Sequence, residues 1–507
     1  MTLTALLKHC RINRHIHYFL IFIAGAVAAC GQEPFAFPVL TIIGIAVSFY
    51  FYGLANSFKS GFLVGFIFGL GYGLVHFHWI VNPFWIEPEK TGWIAPFALI
   101  TMVSGFALFW AVAFSLPFLF KTSQSIRYWL LAISWMSTEI LREYIFTGFP
   151  WGLLGYIWID TPVAQLASLI GVHGLSSLTV ISIIIPFALR LKWLGFGISL
   201  ILLGLAWGYG SIRLTNGNNL PLGDTTVRII QPNVPQREKW DPLKFDLYLN
   251  HIVELSNSAS NETIDLVIWP ETALTIFADP QDYKNLSYWL ESKPLVLGLR
   301  RIAIDKMYNS IGYISSDGVM QQVYDKQYLV PFGEFIPLES VLKFLTFSPL
   351  ANNEIWDFSP GVGSQFINLP EFGLFRTLIC YEAIFPHLVR TQERPIALLQ
   401  ITNDAWIGKF AGPLQHYAMA RLRTIELGLP LLRSSNPGVS AFVDSYGQEI
   451  ATVPLNQFGF IDSKMPLSLN PTVYSRAGDW PLIIFLLVSL ILILVHIKRQ
   501  KHTQPID

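Results

Sequence analysis

The sequence predicts a polytopic α-helical membrane domain of about eight spans, joined to an α/β layered soluble domain. Three observations predict this. The 507-residue chain is 52% hydrophobic and only 13% charged, against about 25% charged in an average soluble domain. That deficit is local. Long apolar runs fill residues 15–211 and return at 481–497, while the stretch between them, roughly 215–479, has the composition of a soluble domain. Within that stretch, valine- and isoleucine-rich runs alternate with helical patterns, as layered α/β domains do.

A spanning helix needs about 20 mostly apolar residues. Eight segments qualify, at about 15–31, 37–55, 60–81, 93–120, 127–143, 163–190, 193–211 and 480–497. His15 and His17 make the first the weakest. It lacks a small-residue cleavage site leading into soluble sequence, so it reads as a span rather than a signal peptide. With the N-terminus in the cytoplasm, the inner loops carry Lys8, Arg11, Arg14, Lys59, Lys121, Arg127, Arg190, Lys192, Lys498, Arg499 and Lys501. The short outer loops carry Lys90, with Arg142 and Arg213 at helix edges. Positive charge inside is the expected bias. The predicted organisation is therefore 1–214 as a membrane domain of seven helices, 215–479 as an outer soluble domain, and 480–507 as a last span with a cytoplasmic tail. In a diderm cell this puts the protein in the inner membrane and residues 215–479 in the periplasm.

In the soluble stretch the strand candidates are Thr226–Gln231, Leu266–Trp269, Leu295–Leu299, Ser310–Ile314, Thr377–Cys380, Ala397–Thr402, Leu431–Ser434 and Val439–Val443. Helices are predicted at about 241–257, with Asp241 as N-cap, and at 281–291, 383–392 and 413–429. In such folds chemistry collects at the carboxyl ends of strands. Glu271, Lys326, Cys380 and the pair Asn403-Asp404 each follow a strand candidate or its like. A thiol, a carboxylate and an ammonium brought together are a nucleophile, a base and a cation for acyl transfer. Taken singly each has a plainer reading: a buried inert thiol, a surface turn, a solvated lysine.

The three cysteines, Cys10, Cys30 and Cys380, form no CxxC and no Cys/His cluster at metal spacing. Neither a disulfide framework, a metal nor an organic cofactor is implied. The net charge is zero, so no nucleic-acid partner is suggested. Residues 335–358 are strongly apolar and follow Pro331-Phe332-Gly333-Glu334. They read either as core or as an arm that dips into the bilayer beside the site. Glu139 and Arg142 lie three apart on one helix face. They either brace the bundle or contact lipid headgroups.

The order Trp269-Pro270-Glu271, then Tyr324-Asp325-Lys326 running into Leu329-Val330-Pro331-Phe332-Gly333-Glu334, then Cys380-Tyr381-Glu382, then Asn403-Asp404-Ala405-Trp406 resembles the nitrilase/carbon–nitrogen hydrolase superfamily. With seven apolar spans before it and one after, the chain is similar to the membrane-embedded apolipoprotein N-acyltransferases of that superfamily. Trp135, Glu139, Arg142, Phe149-Pro150-Trp151-Gly152, Gly171-Val172-His173-Gly174 and Gln231-Pro232-Asn233 match that family's membrane and entry signatures. Pro437 departs from it, where many members carry a second polar residue.

The resemblance implies a nitrilase-like sandwich and a two-step acyl transfer. Cys380 would take an acyl chain from a phospholipid, phosphatidylethanolamine being the expected donor. The α-amino group of a diacylglyceryl-cysteine apolipoprotein would then accept it. Glu271 is expected as base, Lys326 as oxyanion-stabilising cation, and the backbone N–H of Tyr381 as a second donor. Glu334 and Glu382 are expected to support them, and Trp240, Asn403 and Trp406 to contact substrate. A Cys/His dyad through His173 or His416 is not expected. A monomer suffices. The competing enzyme reading is a membrane-anchored amidase or nitrilase with water as acceptor; a transporter or an inactive lipid-binding scaffold would be a different class.

Overall fold

The computed structural model describes residues 14–217, 221–335, 358–390 and 393–503. Each of the eight apolar candidates is a helix: α1 (Arg14–Ala29), α2 (Pro38–Leu54), α3 (Phe58–His76), α4 (Ala95–Ser115), α5 (Gln124–Arg142), α6 (Ala167–Ala188), α7 (Lys192–Gly217) and, at the far end, Trp480–Thr503. Among the described residues, five helical segments are long and apolar enough to cross a membrane; α1 and α2 are shorter apolar helices. Close backbone approach compacts the bundle. A Cβ at Gly25 of α1 would lie 2.0 Å from the Phe68 carbonyl oxygen of α3, so glycine is required there. Phe68, Trp110, Phe114 and Trp135 fill the interior with tilted and stacked rings.

The following strands are β1 (Leu222–Gln231), β2 (Leu266–Ile268), β3 (Leu295–Ala303), β4 (Lys306–Ile314), β5 (Met320–Asp325), β6 (Phe366–Leu369), β7 (Gly373–Ile379), β8 (Ala397–Thr402), β9 (Leu431–Ser435), β10 (Ser440–Val443), β11 (Glu449–Val453) and β12 (Gly459–Pro466). They form two six-stranded sheets, β12-β1-β2-β3-β4-β5 and β11-β10-β9-β8-β7-β6. β1, β2 and β3 run parallel, as do β7, β8 and β9. Val227, Ile229, Ile268 and Val296 from one sheet pack on Phe375, Ile379, Leu399 and Leu432 from the other.

Helices α8 (Phe245–Ser256) and α9 (Pro280–Trp289) cover the outer face of the first sheet through Leu249, Ile252, Leu255 and Leu286. Helix α10 (Ala411–Leu427) covers the second through Tyr417, Ala420 and Leu427. The result is an α–β–β–α sandwich. Both faces of α10 are occupied: Ala418, Met419, Leu422 and Ile425 pack into the core of the membrane helices. Polar contacts reinforce that seam. Gln415 accepts from the indole N–H groups of Trp79 and Trp151 at 2.9 and 2.7 Å, and Glu426 accepts from the Val172 backbone N–H at 2.8 Å.

The expected helix at 383–392 does not form as one element. A 3-10 turn covers Cys380–Ile384 and a single turn covers Pro386–Val389. Phe385, between them, is extended, as a residue before proline prefers. Strands β5, β6, β11 and β12 were not among the expected eight. β5, β11 and β12 lie at or near sheet edges and carry polar or charged residues, so their apolar signal is weak. Most of the apolar stretch 335–358 lies outside the described residues.

Candidate active site

Four strand ends converge where the two sheets meet. Glu271 follows β2, Lys326 follows β5, Cys380 follows β7 and Asn403 follows β8. The parallel strands β2, β7 and β8 and the antiparallel-paired β5 each end just before one of these residues, which is why motifs far apart in sequence meet.

Glu271 sits in a tight turn that leans on Gly298. A Cβ there would lie 2.4 Å from the Thr272 nitrogen and 2.6 Å from Glu271 Cα. One carboxylate oxygen accepts from Asn309 Nδ2 at 2.7 Å, the other from the Asn403 backbone N–H at 2.7 Å. The Lys326 ammonium lies 3.9 Å from Glu271 Oε1 and donates to Glu334 Oε1 at 2.8 Å. Glu334 also accepts from Asn309 at 3.1 Å and from the Val330 backbone N–H at 2.8 Å. Lys326, Glu271 and Glu334 are all buried.

The electrostatics follow from this packing. Burial raises the Glu271 pKa; Lys326 pulls it down and Glu334 pushes it up. Burial opposes the charge on Lys326, yet Glu334 and Glu271 together hold its pKa above the usual lysine range. Burial, then the Glu271 charge, pushes the Cys380 thiol well above its ordinary value, while Lys326 opposes them. A thiol so placed stays protonated until a base takes its proton.

Cys380 has a backbone φ of +49°. A left-handed non-glycine residue costs about 1–3 kcal/mol and persists only where its surroundings enforce it. They do so here. The Cys380 carbonyl accepts from His416 Nε2 at 3.0 Å and from Gln400 Nε2 at 3.2 Å. Glu382, 2% exposed, locks the turn on both sides. It accepts from the Ile379 N–H, the Tyr324 hydroxyl and the backbone N–H groups of Gln327 and Tyr328, at 2.8, 2.7, 2.8 and 3.2 Å. The Cys380 turn and the residues after Lys326 thus share one carboxylate. The Tyr381 hydroxyl donates to the Gly148 carbonyl at 2.9 Å, tying the same turn to the segment after α5.

His416 contacts the Cys380 main chain, and its other nitrogen faces Asp404 at 2.8 Å. Asp404 in turn takes Arg433 Nη2 at 2.7 Å and the Thr402 hydroxyl at 2.8 Å. Cys380, Asp404 and His416 lie close enough to share an ion. Protein partners, however, already take up the carboxylate and imidazole positions a metal would use. His173 pairs with Glu143 at 2.6 Å, far along the chain from these motifs.

Of the expected substrate contacts, Asn403 is buried, with its side chain bonded to Gln236 at 2.9 Å. Trp240 is half-buried, with the Arg300 guanidinium 4.4 Å from its ring. Trp406 is half-buried in the 3-10 turn Asp404–Ile407. Glu139 and Arg142 are buried inside the helix bundle. Glu139 accepts from the Trp135 indole at 3.0 Å and Arg142 donates to the Trp151 carbonyl at 2.8 Å.

Asn309, Lys239, Gln400 and Arg433 were not singled out from sequence. Asn309 is the nearest to having been legible: it is a buried amide within an apolar β4, a position where an unpaired polar group is costly.

Comparison with known proteins places the two parts. Residues 24–185 match the family profile described as Apolipoprotein N-acyltransferase N-terminal domain, and residues 226–469 match Carbon-nitrogen hydrolase. A protein named Apolipoprotein N-acyltransferase from Rhodopseudomonas palustris is 34% identical over 95% of this chain and 95% of its own. One of the same name from Bradyrhizobium diazoefficiens is 33% identical over 94% of this chain and 95% of its own. Among solved structures, the amidase from Nesterenkonia sp. AN1 aligns with 49% of this chain and 92% of its own, at 17% identity and a TM-score of 0.36.

Proposed function

The chain belongs to the apolipoprotein N-acyltransferase family of bacterial membrane proteins and is an acyltransferase, and we propose that it carries out its reaction through a thioester on Cys380. The supporting observation is the meeting of Glu271, Lys326 and Cys380 at the carboxyl ends of β2, β5 and β7, with Glu271 and Lys326 linked directly and Cys380 coupled to both charges.

In the first half-reaction Glu271 takes the Cys380 thiol proton as sulfur attacks a phospholipid acyl ester. The tetrahedral oxyanion develops beside the Lys326 ammonium and the Tyr381 backbone N–H. Collapse forms the thioester and expels the lysophospholipid alkoxide, which takes the proton held by Glu271. In the second, the α-amino group of a diacylglyceryl-cysteine apolipoprotein attacks the thioester. Glu271 accepts the amine proton and the thiolate leaves, to be reprotonated from Glu271. Glu334 holds Lys326, and Glu382 holds the Cys380 turn. Phosphatidylethanolamine is the proposed donor; Trp240, Asn403 and Trp406 are the proposed substrate contacts.

We further infer eight spans, seven within 1–214 and one within 480–507, with 215–479 as the catalytic domain on the periplasmic side of the inner membrane and the protein acting as a monomer. The loop charges support this orientation. Near-full-length relatives with both parts favour acyl transfer to an amine over hydrolysis by a membrane-anchored amidase.

The test is product analysis. Purified protein given phosphatidylethanolamine and a diacylglyceryl-cysteine peptide should yield N-acylated peptide and lysophospholipid in equal amounts. Free fatty acid as the main product, peptide present, would favour the hydrolase.

A further inference from the structure

Lys239 is a buried cation beside this site to which the proposed chemistry gives no part. It ends the single helical turn Gln236–Lys239 after β1 and is 7% exposed. Its ammonium donates to the main-chain carbonyl of Glu271 at 2.9 Å. The chain leaves Glu271 through Thr272, whose φ is +48°, so the turn needs an external hold.

The neighbouring Trp240 reaches the same segment through Arg300. Its ring stacks on the Arg300 guanidinium, which also lies 4.8 Å from the Phe277 ring and reaches the Thr275 carbonyl. Lys239 therefore holds the 271–277 segment directly at the backbone of the expected base, and Trp240 braces it only through Arg300.

We propose that Lys239 is a positioning residue for Glu271: it fixes the main chain that carries the carboxylate, and its nearby charge favours the carboxylate form that accepts the thiol proton. This rests on the reading of Glu271 as base to Cys380. The charged and titratable groups that face Glu271 are Lys326, Glu334, Cys380 and Lys239. Those around Lys239 are Glu271, Arg300 and Cys380. Lys326 is shared with Glu334 at 2.8 Å and lies 3.9 Å from Glu271, which leaves room for a second cation to matter. Burial, with Glu271 opposing it, lowers Lys239 to about 8, so at neutral pH the ammonium form still dominates.

The experiment is single-turnover acylation of Cys380 by phosphatidylethanolamine as a function of pH, for the wild type, Lys239→Met and Lys239→Arg, with thermal melts as fold controls. Loss of a cation near a carboxylate raises the carboxylate pKa. The Lys239→Met profile should therefore shift its rising limb to higher pH by about one unit, with acylation about tenfold slower below it. Lys239→Arg should return the limb most of the way. Slower acylation at every pH with an unmoved limb would leave Lys239 a packing residue and overturn the proposal. Should Lys239→Met fail to fold, Lys239→Gln gives the same reading, and an unmoved limb there overturns it equally. Wild type acylated normally with unmoved variants sinks only this role; no Cys380 adduct in wild type sinks the acyl-transfer mechanism with it.

Discussion

The Asn403 backbone N–H donates to Glu271 Oε2 at 2.7 Å, across 132 residues of sequence. Glu271 ends a strand of one sheet and Asn403 ends a strand of the other. The proposed base is therefore aimed by the opposite sheet, and the two strand ends meet only once the sandwich has closed.

Glu271→Gln should separate two reactivities of Cys380. Without a general base, thioester formation from phospholipid should fall by about 10²- to 10⁴-fold. Alkylation by a small electrophile should become faster at neutral pH, because a charge that raises the thiol pKa is gone. Intact-mass kinetics for each reagent read both arms; a parallel drop in the two would mean that the substitution merely distorts the turn.

Glu382→Ala should cost stability before it costs chemistry. Four donors lose one acceptor, and leaving each such group buried and unmatched costs about 1–3 kcal/mol. Denaturant unfolding should show a loss of about 4 kcal/mol or more, with Glu382→Gln recovering part of it. A variant as stable as the wild type would show that the turn is held by its other contacts.

Lys326→Met leaves Glu271 and Glu334 buried without their cation, a change worth about 3–5 kcal/mol. The pH dependence has a definite sign. Burial already raises the Glu271 pKa, and losing Lys326 raises it further. A carboxyl with a folded pKa above its unfolded one binds extra protons when folded, so its destabilising effect is relieved as pH falls through the folded pKa. The deficit relative to wild type should be smaller at about pH 5 than at about pH 7.5. An equal deficit at both would show that the carboxylates find other partners.

Orientation can be read with one cysteine. Ser316 lies on an exposed hairpin turn of the sandwich. In a Ser316→Cys variant with Cys10, Cys30 and Cys380 all replaced by Ala, a membrane-impermeant maleimide should label position 316 in cells whose outer membrane alone is permeabilised. Labelling only after lysis of the inner membrane would reverse the topology.

Much of this was legible because period and composition carry it. The eight apolar runs are helices, and Leu266, Thr377 and Ala397 begin or lie in strands whose next polar residues are Glu271, Cys380 and Asn403. Helix 383–392 failed because Pro386 forces Phe385 to be extended, a local rule that overrides the apolar pattern. The edge strands β5 and β11 escaped notice because Gln321, Gln322 and Glu449 dilute their alternation. The supporting residues were hidden for another reason. Asn309, Lys239, Gln400 and Arg433 act through backbone carbonyls and carboxylates of other segments, and no spacing within their own segments announces that. Glu139 and Arg142 left two readings open in the sequence; their bonds to Trp135 and Trp151 turn them into the bundle.

Intact-protein mass spectrometry after incubation with phosphatidylethanolamine, wild type against Cys380→Ala, tests the central chemistry most directly. The wild type should gain the mass of one fatty acyl chain, sensitive to hydroxylamine and discharged by a diacylglyceryl-cysteine peptide, and the variant should gain nothing. An adduct of the same mass on Cys380→Ala would contradict the assignment of Cys380 as nucleophile.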